Sequence, residues 1–256
     1  MDAALKNSLW NLMYAWFWEH YARKSGQTAS YVSEGKMLLS LWAGHFNEPA
    51  DRAEIEFSYV LRQVRELYME GAWWEVYDFV EFVAGYPRPQ EASVQFIAAC
   101  NAVLEKHLSA FVGGILAPIT SEEEILGIER AMSHGGKFSP TVSHLETALA
   151  RLADHSSPDY RNSIKESISA VEAVCQIITG DQKATLGQAL KKIGIHPALE
   201  KGFSAIDGYT SDADGIRHAL LEESTVDADD AKFFLVSCSA FVNHLIAKST
   251  SSTTVT

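Results

Sequence analysis

Apolar positions recur along most of the chain with the period of a helix. From about Leu5 to Arg23, Trp10, Met13, Tyr14 and Phe17 stand at i, i+3, i+4 and i+7, the spacing that lines one helical face. The same test predicts helices at about 31–46 (Met37, Leu38, Leu41, Trp42), about 53–70 (Ile55, Tyr59, Leu61, Val64, Leu67, Tyr68), about 73–84 and about 91–110. Pro87 and Pro89 separate the last two, because proline lacks the donor a helix interior needs. Between Phe111 and Ile119 the period changes. Two short apolar runs flank Gly113-Gly114, which reads as a small β-hairpin near 111–119. Thr120 or Ser121, followed by Glu122, Glu123 and Glu124, marks a helix N-terminus leading to about Met132.

The second half is helical by the same measure. Ser143 to Ala153 is one segment. A longer one begins near Pro158 and repeats Ile164, Ile168, Val171, Cys175 and Ile178 until Gly180. Short helices follow at about 185–193 and 197–206, and GYTSDADG (208–215) has the Gly, Ser, Thr and Asp content of a turn. Ile216 to Glu222 resumes a helix. Asp227 to Lys248 forms a last one, with Phe234, Cys238, Phe241 and Leu245 on one stripe, and the tail 249–256 is expected to be disordered.

Composition divides this helical chain in two. All six tryptophans (Trp10, Trp16, Trp18, Trp42, Trp73, Trp74) lie in the first 74 residues, which implies separately built cores. The Gly- and Pro-bearing SHGGKFSP places a boundary near 133–140, giving domains 1–137 and 138–248. The fold class is therefore mainly α: an aromatic-rich helical N-terminal domain with a small hairpin, then a helical bundle. Cys100, Cys175 and Cys238 are far apart and form no CxxC pair, so the sequence supports neither a disulfide framework nor a zinc knuckle. No apolar run reaches the roughly 20 residues of a membrane span, and a soluble, cytoplasmic protein without membrane contact is expected.

Charge narrows the function further. The net charge of −12 is spread over both halves, with 11 Lys+Arg against 18 Asp+Glu in 1–140 and 10 against 15 in 141–256. Such a chain does not coat nucleic acid non-specifically, though a local basic site remains open. GxGxxG, P-loop, HExxH, GxSxG and EF-hand strings are absent. His144-Leu145-Glu146 imitates half of a zinc-deaminase site whose PCxxC half is missing, so no metal and no cofactor is expected. The run WWEVYDFVEF (73–82) could stack bases, but Trp73, Val76, Tyr77 and Val80 form a core-like stripe, and Glu75, Asp78 and Glu81 would repel phosphate.

Two polar clusters carry candidate chemistry. In the first, Arg161, Asn162, Lys165 and Glu166 follow Pro158-Asp159-Tyr160, with Asn162 and Glu166 at i, i+4 on one face. The second is Arg217-His218, beyond the GYTSDADG loop. A guanidinium grips phosphate with two prongs, and imidazole exchanges a proton near neutral pH, a pairing that suits RNA cleavage without metal. Asp212 and Asp214 could equally pair with Arg217 as a structural arrangement.

The strings SPDYRNSIKESISAVEAVCQIITG (157–180), ATLGQALKKI (184–193), GYTSDADGIRHALLEE (208–223) and AKFFLVSCSAFVNHLI (231–246) resemble the C-terminal HEPN-like domain of AbiJ-type abortive-infection proteins. LWNLMYAWFW (9–18), WWEVYDFVEF (73–82) and GGILAPITSEEE (113–124) resemble the N-terminal domain that accompanies it. This resemblance implies prokaryotic antiviral defence and a homodimer through the C-terminal domain, with a defence-system partner protein as a further expectation. In HEPN ribonucleases it implies an arginine, four to six residues, then a histidine, meeting its counterpart in a cleft. His218 takes the histidine position, but the arginine position falls on Ser211, Asp212 or Ala213. Arg217 or Arg161 would have to replace it. Two readings follow. One is a metal-independent endoribonuclease toxin with His218 and Arg217 as catalytic residues and Arg161, Asn162 and Lys165 binding RNA. The other is a non-catalytic HEPN-like module for dimerisation, nucleotide sensing or partner binding.

Overall fold

A computed structural model describes residues 3–24, 26–212 and 226–253. The chain is mainly α-helical and divides into two compact units, Met1–Leu116 and Ala117–Thr256. The first contains α1 (Ala3–Met13), a π-helical turn (Tyr14–Trp18), α2 (Glu19–Ala22), α3 (Ser33–Ser40), a second π turn (Leu41–His45), α4 (Phe57–Glu70), α5 (Trp73–Gly85) and α6 (Gln90–Leu104). The hairpin β1 (Ala110–Val112) and β2 (Ile115–Ala117) follows. In the second unit come α7 (Glu122–Met132), α8 (Ser139–Leu152), α9 (Tyr160–Thr179), α10 (Leu186–Ile193), α11 (Pro197–Asp212) and α12 (Ala228–Thr253).

The first core is aromatic. Trp10 lies 5.2 Å from both Trp18 and Tyr68, ring centre to ring centre, and Tyr68 lies 4.9 Å from Phe79. Spacings of this size suit the tilted and edge-on pairs that aromatic quadrupoles prefer. The buried Tyr68 hydroxyl donates to the Lys6 carbonyl at 2.9 Å, and burial pushes its pKa upward. The Lys6 ammonium donates to the Met69 and Gly71 carbonyls at 2.6 and 2.8 Å, satisfying the end of α4. Glu75 accepts from the Ala72 amide at 2.6 Å to start α5, and Glu81 accepts from the Leu116 amide at 2.6 Å, tying the hairpin to α5. Two of the three acids in 73–82 therefore fix local structure. Gly113 and Gly114 have φ of 56° and 91°, which the two-residue turn demands and glycine supplies without strain.

The second unit is a bundle in which α9 packs on α8 and α12. Small residues let the helices approach. The buried Ser163 hydroxyl donates to the Ala148 carbonyl of α8 at 2.8 Å, and Ser167 donates back to Ser163 at 2.9 Å. The α12 residue Asn243 donates to the Gly127 carbonyl at 2.8 Å, and its Oδ1 lies 3.1 Å from Nε2 of His134.

Several expectations shift in register. Trp18, not Phe17, is fully buried, because the π turn inserts a residue between Met13 and the next core position. Ile55 and Tyr59 are exposed, since α4 begins only at Phe57 and faces inward through Phe57, Val60, Leu61, Val64 and Tyr68. Trp73 is exposed and Phe79 takes its place in the core. The expected turn at 208 is helical as far as Asp212, where α11 propagates through polar residues; 213–225, including the predicted helix from Ile216, lie outside the described residues. α12 continues to Thr253, past Lys248. Its Ser249 and Thr250 hydroxyls bond the Ile246 carbonyl in the last described turns.

Gly35 lies against the Ala29 carbonyl, and a Cβ there would collide with backbone. Gly35→Ala should therefore lower stability by about 1–3 kcal/mol, the usual cost of overpacking, as read by urea denaturation. Gly44→Ala, where open space surrounds the site, is the control and should show no such loss.

Candidate functional site

The first cluster predicted from sequence sits at the start of α9. Asp159 caps the helix, its Oδ1 accepting from the Asn162 amide at 3.1 Å and its Oδ2 from the Asn162 side-chain Nδ2 at 2.7 Å. The carboxamide thus helps close the first turn. Arg161 is half-buried and Lys165 exposed. Glu166 reaches across to α8, where its Oε2 lies 2.6 Å from Nδ1 of His144. With the carboxylate accepting from Nδ1–H, the imidazole is held in one orientation and Nε2 is the ring nitrogen not bonded to Glu166.

His144 is the residue that sequence reasoning misses. Its local string pairs it with Glu146, as half of a zinc site, whereas its partner in the fold is Glu166. The i, i+4 spacing of Asn162 and Glu166 does mark the receiving face, but a contact 22 residues apart has no local signature. The second cluster, Arg217 and His218, lies outside the described residues, as does Asp214. Asp212 ends α11. Among the described residues no group of three His, Cys, Asp or Glu converges in the manner of a metal site.

Cavities open in the first unit. One of about 410 Å³ is lined by Trp10, Asn11 and Tyr14 on one side and Ser58, Leu61, Arg62 and Arg65 of α4 on the other, with Ala22. Another, about 320 Å³, is bordered by Trp16, Phe17, Met37 and Arg88 among others. Arg88 is committed to structure: its guanidinium sits 4.3 Å from the Phe17 ring centre and donates to the Val83 and Tyr86 carbonyls. Burial lowers its pKa from the usual value.

The three thiols are unsuited to nucleophilic chemistry. Cys100, Cys175 and Cys238 are free and buried, and burial pushes each pKa up to about 12. A protonated, inaccessible thiol is a packing group.

Fold and sites together define a two-unit helical protein with an arginine-bearing cavity in its first unit and a carboxylate-held imidazole in its second. Residues 1–134 match the family of the AbiJ N-terminal domain 4, and the chain belongs to that family. Membership associates it with abortive-infection antiviral defence. The match ends two residues beyond α7, so it does not extend over α8 to α12. No curated protein and no solved structure matches the chain. No helix among the described residues is long and apolar enough to cross a membrane.

The thiols give a signed pH dependence. Their pKa is raised from about 9 to about 12 on folding, so the folded state holds its protons more tightly than the unfolded one. Their contribution is present below pH 9 and lost as pH climbs toward 12. Denaturation midpoints should fall through that window, and a thiol reagent at about pH 8 should label all three cysteines only after unfolding.

Proposed function

We propose that this abortive-infection protein acts on RNA through its C-terminal helical unit, as a HEPN-like endoribonuclease toxin that uses no metal. The observation that carries this reading is the start of α9. Arg161 and Lys165 stand one turn apart there, and Glu166 on the adjoining face holds the His144 imidazole 2.6 Å away. Cations for phosphate and a carboxylate-held imidazole thus share one helix pair, alongside strings that resemble a HEPN-like domain. In the proposed mechanism His218 moves the proton between the 2′-hydroxyl and the leaving oxygen. Arg217 offsets phosphorane charge, and Arg161, Lys165 and Asn162 position the strand. Asn162 donates one N–H of its Nδ2 to Asp159, which leaves its second N–H and its carbonyl oxygen for the strand.

Inducing the wild-type chain in bacteria should arrest growth and fragment RNA. His218→Ala should restore growth and cut cleavage by about 10²- to 10⁴-fold, the usual worth of a general acid–base group. Growth arrest with intact RNA, unchanged by His218→Ala, supports the second reading, a non-catalytic HEPN-like module for dimerisation, nucleotide sensing or partner binding. That reading draws on Asp212, an acid standing where an arginine would hold phosphate.

A homodimer through the C-terminal unit belongs to the same proposal. The apolar residues Phe234, Leu235, Phe241, Val242 and Leu245 of α12 are buried within the chain itself. The apolar surface left for a second copy includes Phe233 of α12 and Leu126 of α7, both more than half exposed. Light scattering should give twice the chain mass, and Phe233→Asp should shift it to the monomer. A monomer at every concentration sinks this part of the proposal.

A further inference from the structure

The cavity of about 410 Å³ in the first unit has the chemistry of a ligand site, and its assignment does not rest on the RNA reading of the second unit. Ser58, Leu61, Arg62 and Arg65 stand at i, i+3, i+4 and i+7, so one face of α4 forms a wall. Leu61 is the buried, apolar part of that wall, and Arg62 and Arg65 are exposed. Among the described residues neither guanidinium has an ion-pair partner. Instead Arg62 lies over the Tyr59 ring, 4.7 Å from its centre. Stacking uses the guanidinium face and leaves the N–H edges to donate. Ser58 donates its hydroxyl at 2.9 Å to Glu56, just before the start of α4.

The opposite wall is aromatic and amide-bearing. Trp10 and Asn11 come from α1, and Tyr14 begins the π turn. Single π turns inside α-helices occur frequently at functional sites, because the extra residue re-aims the side chains around it. Tyr14 is half-buried, and the exposed Asn11 carries one acceptor and two donors, enough to read the edge of a base. The volume falls within the roughly 300–1,000 Å³ of small-molecule sites and accommodates one compact ligand.

We propose that this cavity binds a nucleoside phosphate, with Arg62 and Arg65 gripping the phosphate and Tyr14 and Asn11 receiving the base. Paired guanidiniums suit phosphate because their planar forks bond two oxygens at once. A ring face beside them suits a base, for which stacking is strong and tolerant of sequence. In a chain of net charge −12, two neighbouring arginines with no ion-pair partner among the described residues leave their N–H donors for an anion.

Titration calorimetry on the full chain, at roughly 50 mM salt to keep screening low, would use AMP, GMP, UMP, ADP and ATP, with adenosine, guanosine, uridine, inorganic pyrophosphate and a short oligoribonucleotide as controls. At least one nucleotide should bind with Kd below about 1 mM, and its nucleoside should bind about tenfold or more weakly. Arg62→Gln and Arg65→Gln should each weaken nucleotide binding about tenfold, with unfolding midpoints unchanged because both side chains are exposed. Tyr14→Ala should weaken the nucleotide and leave pyrophosphate unaffected. The proposal is overturned if no nucleotide in the panel binds, if binding survives the double arginine substitution, or if pyrophosphate binds as well as the nucleotide. Binding of the oligoribonucleotide alone overturns it equally and points to a strand-binding surface.

Discussion

The single extra residue in the turn Tyr14–Trp18 sets the arrangement of the first unit. In an uninterrupted helix, Phe17 would follow Trp10, Met13 and Tyr14 on the inner face. The π turn delays the next core position to Trp18, five residues after Met13, with the Glu19 amide closing the turn on the Tyr14 carbonyl. Trp18 is thereby buried against Trp10 and Phe79, and Tyr68 completes the cluster. Large rigid rings leave little room for a register slip, so α1, α4 and α5 are fixed together by a few side chains. The same extra residue leaves Tyr14 half-buried beside Asn11, lining the cavity that α4 closes with its arginines. Core and cavity are consequences of one local change in helical winding.

The second unit solves its packing in the opposite way. Its α8–α9 contact relies on small residues, with Ser163, Ser167, Ala148 and Ala170 fully buried. A serine buried between helices must bond something, and Ser163 does so through the Ala148 carbonyl, which fixes the contact in register. That close approach is what lets the short His144 side chain meet Glu166. The polar pair is an outcome of backbone proximity, and the face that carries it also carries the cap formed by Asp159 and Asn162.

Local chemistry makes much of the fold legible in the amino-acid order itself. Helix starts are readable wherever a side chain supplies the missing acceptor: Ser121 accepts from the Glu124 amide, and Asp159 from that of Asn162. Gly113-Gly114 announces the hairpin because two successive positive φ values admit few other residues. What escapes are features set by tertiary packing. Nothing in YAWFW separates a π turn from an α-helix, since the choice lies in whether Phe17 or Trp18 packs against Trp10 and Phe79. Trp73 is exposed against its neighbours Trp74 and Tyr77, while Phe79 joins the Trp10 cluster. The candidate sites divide likewise. Asn162 and Glu166 can be paired on one face by spacing, whereas His144 and the cavity wall of Arg62 and Arg65 need the helices to be brought together.

Charge then separates the kinds of ligand such a chain can hold. Repulsion from a net charge of −12 acts on every anion, but it grows with the number of phosphates brought near the surface. Screening over roughly 8 Å at physiological salt limits that repulsion to charges close to the contact. A compact anion that enters a cavity between two guanidiniums is met by short-range hydrogen bonds and exposes little further charge to the acidic surface. A long RNA strand running across the chain would meet carboxylates at every step, so its capture must be confined to a short basic stretch. Arg161 and Lys165, one turn apart on α9, form a stretch of that length. An acidic protein of this kind is therefore suited to selecting a few phosphates at a defined place and poorly suited to retaining nucleic acid elsewhere.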